Sequence, residues 1–334
     1  MENYNDSVKN ESIYHIPLSK QFSKDVVFYR KKENIANLLF QKLIFYSFQD
    51  EANQLLEKDY VKIPIYNKML EAVVLKRKIH FILPAFPAKS PNPFKTNGHL
   101  PDMGEVLALK ALQKLMNEMS DLHHPGVELL ICSDGRAFSD VVGVSDARVD
   151  DYLKGLKNII HEFELKKISV MSMDDLYPEV EGEELRQRLL RLYAKSIEEV
   201  RMDVLSNVRQ QKIFNGMHRF ILEDRYQLMN GISKNQVSKE SKRLTYELIR
   251  RSDAWSSLIS SCYKDSLRLS IHPHSLQSEK FGIKLVSSSQ KWGTPWHNAT
   301  LFDGVSFQLV HYGEILKLKA KTCYYKDQYV YYKV

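Results

Sequence analysis

The sequence predicts an α/β protein in which a mostly parallel sheet with flanking helices is followed by a helical section and a β-rich C-terminal part. Three observations predict this class. Between residues 79 and 171, short apolar runs alternate with amphipathic segments, as in a parallel sheet with crossover helices. From residue 183 to about 262 the apolar positions recur at helical spacing, and after residue 266 short β-like runs replace them.

The core elements can be assigned in order. Residues 79–83 form an apolar strand that ends at Pro84, which lacks the N–H needed for further pairing. A helix should begin after Asp102, because Asp102 and Glu105 have the spacing of a capping box, and it should extend to about residue 120. A strand over 127–132, a helix over 147–165 and a strand over 168–171 follow. Ligands of such sheets bind beyond the carboxyl ends of the strands, which points to loops 84–101 and 133–146.

The regions on either side of this core complete the predicted organisation. Apolar side chains at helical spacing over residues 21–56 predict a helical layer. The helical section should break near residues 215–216 and 230–233, and the C-terminal part should contain strands. These predicted strands cover 267–271, 281–286, 305–310, 315–319 and 323–334, with lysines 317, 319 and 321 protecting an edge strand. The predicted units are 1–75 (helical layer), 76–180 (α/β core), 181–265 (helical section) and 266–334 (a β-rich part completing the active site).

Composition excludes several classes of protein. The 334 residues, 43% of them hydrophobic, are too apolar for a disordered chain, and no apolar run reaches the length of a membrane span. Three scattered cysteines form neither a disulfide framework nor a Cys-x-x-Cys site. A polar N-terminus without an apolar segment behind it favours a cytoplasmic protein. The net charge is +7, and residues 204–268 hold 12 basic and 6 acidic side chains, which leaves a nucleic-acid-binding protein as an alternative.

Loop 84–101 presents cations near the start of a helix. It contains Lys89, Ser90, Lys95 and Thr96 among five prolines that hold it open, a composition suited to binding an anion or to an ordered surface loop. It has neither the spacing of a phosphate-binding P-loop nor that of a dinucleotide site.

Two further groups of polar residues follow strands. Loop 133–146 offers Asp134, Arg136 and Asp140, which could combine acid–base chemistry with a charge clamp. In the segment 268–274, Arg268, His272 and His274 project to one side of an extended chain. Two histidines without a third ligand make a poor metal site, so we predict no metal.

Several stretches, taken together and in order, resemble the isocyanide (isonitrile) synthase family, also called the pyoverdine/dityrosine biosynthesis family. The matching stretches are residues 86–96 (FPAKSPNPFKT), 98–105 (GHLPDMGE), 133–140 (SDGRAFSD), 268–274 (RLSIHPH) and 294–297 (TPWH). The resemblance implies a Rossmann-like core and an enzyme that combines an aromatic amino acid with ribulose 5-phosphate. The α-amine attacks the C2 ketone, and C2 becomes the terminal carbon of an isonitrile in secondary-metabolite biosynthesis.

The resemblance, together with this chemistry, assigns roles to particular residues. Groups that bind the sugar phosphate are expected at Lys89, Ser90, Lys95 and Arg268, and a clamp for the α-carboxylate at Arg136. Phe138 and Trp296 should hold the aromatic side chain. The expected general acids and bases are Asp134, Asp140, His272, His274 and His297.

The resemblance also sets expectations about substrates and partners. L-tyrosine is favoured and L-tryptophan comes next, no cofactor is required, and an Fe(II)/2-oxoglutarate oxygenase is expected to act on the product. An N-formyl tyrosine of the dityrosine type is the alternative product.

Overall fold

The computed structural model describes residues 18–48, 60–180, 182–225, 230–275, 277–288 and 293–334. The N-terminal region contains helices α1 (Leu18–Phe45) and α2 (Pro64–Val74), with a short 3₁₀ helix, Tyr60–Lys62, between them. Residues 49–56 of the predicted helical layer lie outside the described residues. No helix in the described ranges combines the length and apolarity needed to cross a membrane.

The core is a five-stranded parallel sheet. Its strands are β1 (Ile79–Pro84), β2 (Val127–Cys132), β3 (Ile168–Met171), β4 (Leu267–Ser270) and β5 (Lys280–Gly282), arranged in the order β3-β2-β1-β4-β5. The predicted strands over 79–83, 127–132, 168–171 and 267–271 are confirmed. The order reverses between β1 and β4, and the crevice at such a reversal is where Rossmann-like sheets bind ligands.

Helices cover both faces of this sheet. Along β1, Phe81 and Leu83 pack into the main core with α1, α2 and α3 (Met103–Leu122), whereas Ile82 joins a second cluster with Trp255 and Leu258 of α10 (Lys234–Cys262). The α3 helix begins with the predicted capping box of Asp102 and Glu105.

The segment between β2 and β4 is helical apart from β3. It contains α4 (Gly135–Val142), α5 (Asp146–Glu162), α6 (Met173–Leu176), α7 (Gly182–Tyr193), α8 (Ile197–Ser206) and α9 (Val208–Asp224) before α10. The predicted break at 215–216 is wrong, because Gly216 has open space around it and α9 continues through it. The break occurs instead at Asn207, whose side chain caps α9. The predicted loop 133–146 contains the short helix α4.

The C-terminal part forms a second sheet of β6 (Ala299–Phe302), β7 (Phe307–Val310), β8 (Lys321–Tyr325) and β9 (Tyr329–Lys333), in the order β7-β6-β9-β8. Strand β6 was not predicted. The strand predicted over 315–319 is wrong: Tyr312–Leu318 is a helix, α11, which buries Ile315 and ends at Lys319 in a left-handed conformation. Of the three lysines expected to protect an edge strand, only Lys321 lies in one, β8.

Candidate active site

The carboxyl ends of β1, β2 and β4 bring three predicted loops to the same edge of the sheet. The loop after β1 lies against the start of α4, and a Cβ atom on Gly135 would come within 2.0 Å of the Pro87 carbonyl oxygen. Because only glycine allows this approach, the two loops form one continuous wall.

Lys89 lies in the protein interior and is surrounded by acceptors. Its Nζ is 2.8 Å from Asp102 Oδ2 and 2.9 Å from Glu105 Oε2, and it donates to the Pro295 carbonyl at 2.9 Å. Burial alone would lower the pKa of Lys89, but the two carboxylates outweigh it and raise the pKa. Lys89 is therefore a charged residue that joins the first loop to the α3 N-terminus and the C-terminal part.

Lys95 and Ser90 share a second buried acid, Asp224 at the end of α9. Lys95 Nζ is 2.7 Å from Asp224 Oδ1 and 2.8 Å from Glu223 Oε2, while Ser90 Oγ donates to Asp224 Oδ2 at 2.8 Å. Burial opposes the charge of Lys95, yet Asp224 and Glu223 raise its pKa. These contacts attach the first loop to the helical section.

An apolar cavity lies between the two loops and helices α9 and α10. Its lining is formed by Pro87, Ala88, Lys89, Ser90, Pro91, Gly135, Phe138, Ser139, Val142, Val144, Val149, Phe220, Asp224, Leu248 and His297. Phe138 and Phe220 supply aromatic surface, and His297 and Asp224 supply polar atoms. Such a lining fits an apolar or aromatic side chain with a few polar groups that orient it.

Asp134 lies between the end of β2 and the start of α4. Its Oδ1 is shielded from solvent and has no hydrogen-bond partner among the described residues. Burial raises the pKa of Asp134 to about 7. An unpaired carboxyl with a near-neutral pKa at the carboxyl edge of a sheet can accept and return a proton.

The other charged residues of the second loop are held in ion-pair networks. Arg136 contacts three carboxylates, those of Asp146 at 3.2 Å, Asp174 at 3.4 Å and Asp150. Asp140, which is exposed, accepts from Arg251 Nη1 at 2.6 Å. Arg136 would have to exchange one of its partners to bind a substrate carboxylate.

Trp296 is fully buried in the main core. Its ring packs on Phe86 with centroids 4.8 Å apart, and its carbonyl accepts from Ser90 N at 2.8 Å. It thus supports the first loop from behind rather than lining the cavity.

His297 and His274 are both held neutral near pH 7. Burial lowers the pKa of His297 to about 4, and nearby Lys95 and His272 act in the same direction against the attraction of Asp224. Burial also lowers the pKa of His274 to about 4, assisted by Lys280 and His272. His272 N donates to Ser270 Oγ at 3.1 Å and His274 Nε2 lies 2.9 Å from the same oxygen, so both residues follow the carboxyl end of β4.

Arg268 points from β4 towards α10. Its Nη1 donates to the Ser256 carbonyl at 3.2 Å and to Ser260 Oγ at 2.8 Å. On the adjoining strand β5, Lys280 Nζ donates to Ser256 Oγ at 3.4 Å. Lys280 was not singled out from the sequence.

Among the described residues, no group of three or more His, Cys, Asp or Glu side chains has the arrangement of a metal site. Sequence reasoning also missed Asp224 and Phe220. These two lie four positions apart, on one face of α9, but nothing in the sequence distinguished that face from those of the neighbouring helices.

Comparisons with known proteins show which family and which solved structure this chain is similar to. The family model described as "Pyoverdine/dityrosine biosynthesis protein" matches residues 70–322. An L-tryptophan isonitrile synthase of Fischerella ambigua is 47% identical over 247 residues, covering 74% of this chain and 75% of the relative. An L-tyrosine isonitrile synthase of Pseudomonas aeruginosa is 33% identical over 288 residues, covering 85% and 87%.

A solved structure extends the similarity to the fold. The crystal structure of the PvcA protein from Pseudomonas aeruginosa has a TM-score of 0.79 and 30% identity, covering 90% of this chain and 99% of that chain. The predicted fold class and the family resemblance are thereby confirmed. With a family match over most of its length and relatives of this identity, the chain belongs to the pyoverdine/dityrosine biosynthesis protein family.

Proposed function

We propose that this protein is an isonitrile synthase that converts the α-amine of an aromatic L-amino acid to an isonitrile, with ribulose 5-phosphate as the carbon donor. The observation that carries the proposal is the similarity, over about three quarters of the chain or more, to relatives named isonitrile synthases. The apolar cavity with two phenylalanines supports an aromatic substrate.

L-tryptophan and L-tyrosine are the two substrates to compare. The sequence expectation favoured tyrosine. Relatives named for L-tryptophan are 47% and 38% identical to this chain, whereas those named for L-tyrosine are 33% and 34% identical. On this basis we expect tryptophan to be the better substrate. A kcat/KM for tyrosine above that for tryptophan would reverse this order.

The proposed chemistry uses groups that change protonation near neutral pH. We infer that Asp134 accepts a proton from the substrate ammonium group, because its unpaired carboxyl has a pKa of about 7. His297, neutral and at the edge of the cavity, is suited to donate or accept a hydrogen bond at the reacting amine. In this scheme Phe138 packs on the aromatic ring. We expect an Fe(II)/2-oxoglutarate oxygenase to consume the product.

The test is incubation of the purified protein with tryptophan or tyrosine and ribulose 5-phosphate labelled with ¹³C at C2. A tetrazine reagent and mass spectrometry detect the product. We expect an isonitrile that carries the label. A labelled N-formyl amino acid, which is heavier by the elements of water, would support the alternative product, and an unlabelled product would refute the donor.

Replacing Asp134 tests its proposed role as a base. We expect Asp134→Asn to lower kcat by about 10²- to 10⁴-fold, the usual contribution of general acid–base catalysis. The wild-type kcat should rise with pH through about 7 as Asp134 ionises. An Asp134→Asn variant that keeps the wild-type rate and pH profile would remove Asp134 from the mechanism.

A further inference from the structure

A cationic crevice, defined here by Arg268 and Lys280, lies on the side of the sheet covered by α10. Arg268 and Lys280 occupy paired positions in the parallel strands β4 and β5, so their side chains leave the same face of the sheet. Both reach Ser256 of α10, Arg268 at the carbonyl oxygen and Lys280 at Oγ. The two cations therefore converge on one point.

The charges of this crevice are not compensated by acids. Within the described ranges, neither Arg268 nor Lys280 forms an ion pair with a carboxylate, and both are half-buried. Burial lowers the pKa of Lys280, Arg268 acts in the same direction, and Asp253 opposes them without forming an ion pair with Lys280. Cations gathered without partners are unfavourable unless an anion joins them.

The chemistry of the crevice fits a phosphate monoester. Such a group carries nearly two negative charges and several acceptor oxygens, which match an arginine, a lysine and a serine hydroxyl better than a single carboxylate does. Helix α10 lines both the crevice and the apolar cavity, because Leu248 faces the cavity and Ser256, eight residues or about 12 Å further along the helix, faces the crevice. A substrate bound in the crevice could thus reach an amine held in the cavity.

We propose that Arg268 and Lys280 form the binding subsite for the phosphate group of the sugar phosphate co-substrate. This inference rests on the proposed function and extends it, because it assigns the phosphate to the β4–β5 face. Lys89 and Lys95 are instead paired with Asp102, Glu105, Glu223 and Asp224.

Steady-state kinetics test the subsite through the two substrates separately. We expect Lys280→Met and Arg268→Gln to raise the KM for ribulose 5-phosphate by about tenfold each, the loss of roughly one charge-assisted hydrogen bond, with the KM for the amino acid unchanged. Lys157→Ala removes an exposed charge from α5 and serves as the matched control. A rise in the KM for the amino acid instead would overturn the proposal, because it would place the α-carboxylate in the crevice.

Calorimetry with inorganic phosphate tests the subsite without turnover. The wild-type protein should bind phosphate, and the Lys280→Met/Arg268→Gln double variant should bind it at least tenfold more weakly, whereas Lys157→Ala should bind normally. Circular dichroism and thermal unfolding verify that each variant is folded. Equal binding by the wild type and the double variant, or no binding by the wild type at millimolar phosphate, would overturn the subsite.

The two proposals can fail independently. Turnover of ribulose 5-phosphate with unchanged kinetics in the double variant would refute the subsite and leave the proposed function intact. Phosphate binding that depends on Lys280 and Arg268, in a protein that forms no isonitrile, would support the subsite and refute the function. Equal turnover of ribulose and ribulose 5-phosphate by the wild type would also count against a phosphate subsite.

Discussion

The lysines of the first loop and the cations of the crevice are the same kinds of residue at the same end of one sheet, but their surroundings differ. Lys89 and Lys95 each contact two carboxylates and are buried, whereas Arg268 and Lys280 contact hydroxyl and carbonyl groups and face one another's charge. A basic residue near a site therefore stabilises the fold when acidic side chains neutralise its charge. The same kind of residue is available to bind a ligand when no acidic side chain pairs with it.

Substitution of Lys89 should have the largest effect on stability and is therefore the strongest test of this difference. We expect Lys89→Met to lower the free energy of unfolding by about 3–5 kcal/mol, because it leaves Asp102 and the fully buried Glu105 without their partner. Urea unfolding measures the change. Adding Glu105→Gln should recover part of the loss, since the buried acid is then neutral. A loss below about 1 kcal/mol would show that Lys89 is not structural.

Lys95 should have a smaller effect on stability. We expect Lys95→Met to cost about 2–3 kcal/mol in the same urea assay, because Asp224 is buried but keeps its hydrogen bond from Ser90, and Glu223 is exposed enough to be hydrated. A cost as large as that of Lys89→Met would indicate that Ser90 does not compensate.

The neutral state of His297 should make the free energy of unfolding depend on pH. Its pKa in the folded protein is about 4, below the unfolded value of 6.5, so the unfolded chain binds the proton first and stability is lost as pH falls below 6.5. Because of this group, lowering the pH from 7 to 5 should reduce the free energy of unfolding of the wild type by roughly 2 kcal/mol. We expect His297→Asn to reduce the pH dependence of unfolding by that amount. An identical dependence in both proteins would mean that folding leaves the pKa of His297 unchanged.

The crevice should give the smallest change in stability. We expect Lys280→Met to alter the free energy of unfolding by less than about 1 kcal/mol, or to increase it slightly, because no carboxylate loses a partner and repulsion by Arg268 is relieved. Phosphate at ten times its Kd for the wild type should stabilise the wild type by about 1.4 kcal/mol and the variant, which binds about tenfold more weakly, by only about 0.4 kcal/mol. Destabilisation comparable to that of Lys95→Met would abolish the distinction between the two regions.

Local patterns were sufficient to predict the central sheet. The strands of residues 79–83, 127–132 and 168–171, and the capping box of Asp102 and Glu105, depend on side chains close together in sequence. The prediction of a strand over 315–319 is wrong because the alternation of apolar residues and lysine in this segment also fits one turn of a surface helix. Such a helix needs only a single buried residue, here Ile315.

From the sequence alone, the site could be predicted only as three separate segments of the chain, without the contacts between their side chains. The sequence identified loops 84–101 and 133–146 and the segment 268–274, and the sheet brings them to one edge. The sequence did not reveal which cations have acid partners, because Asp224 lies 129 positions from Lys95 and 134 from Ser90. Nor did it reveal that Trp296 packs behind the loop, since burial is a property of the folded chain.

The bond from Lys89 to the Pro295 carbonyl joins positions 206 residues apart. A ribosome adds about 5–20 residues each second, so the first loop spends on the order of ten seconds or more outside the tunnel before that acceptor has been made. During that interval the lysine can remain hydrated, and the cavity wall has no rear support. A nascent chain should therefore gain substrate affinity only after nearly all of it has been translated, which pulse-labelled, length-defined nascent chains could reveal.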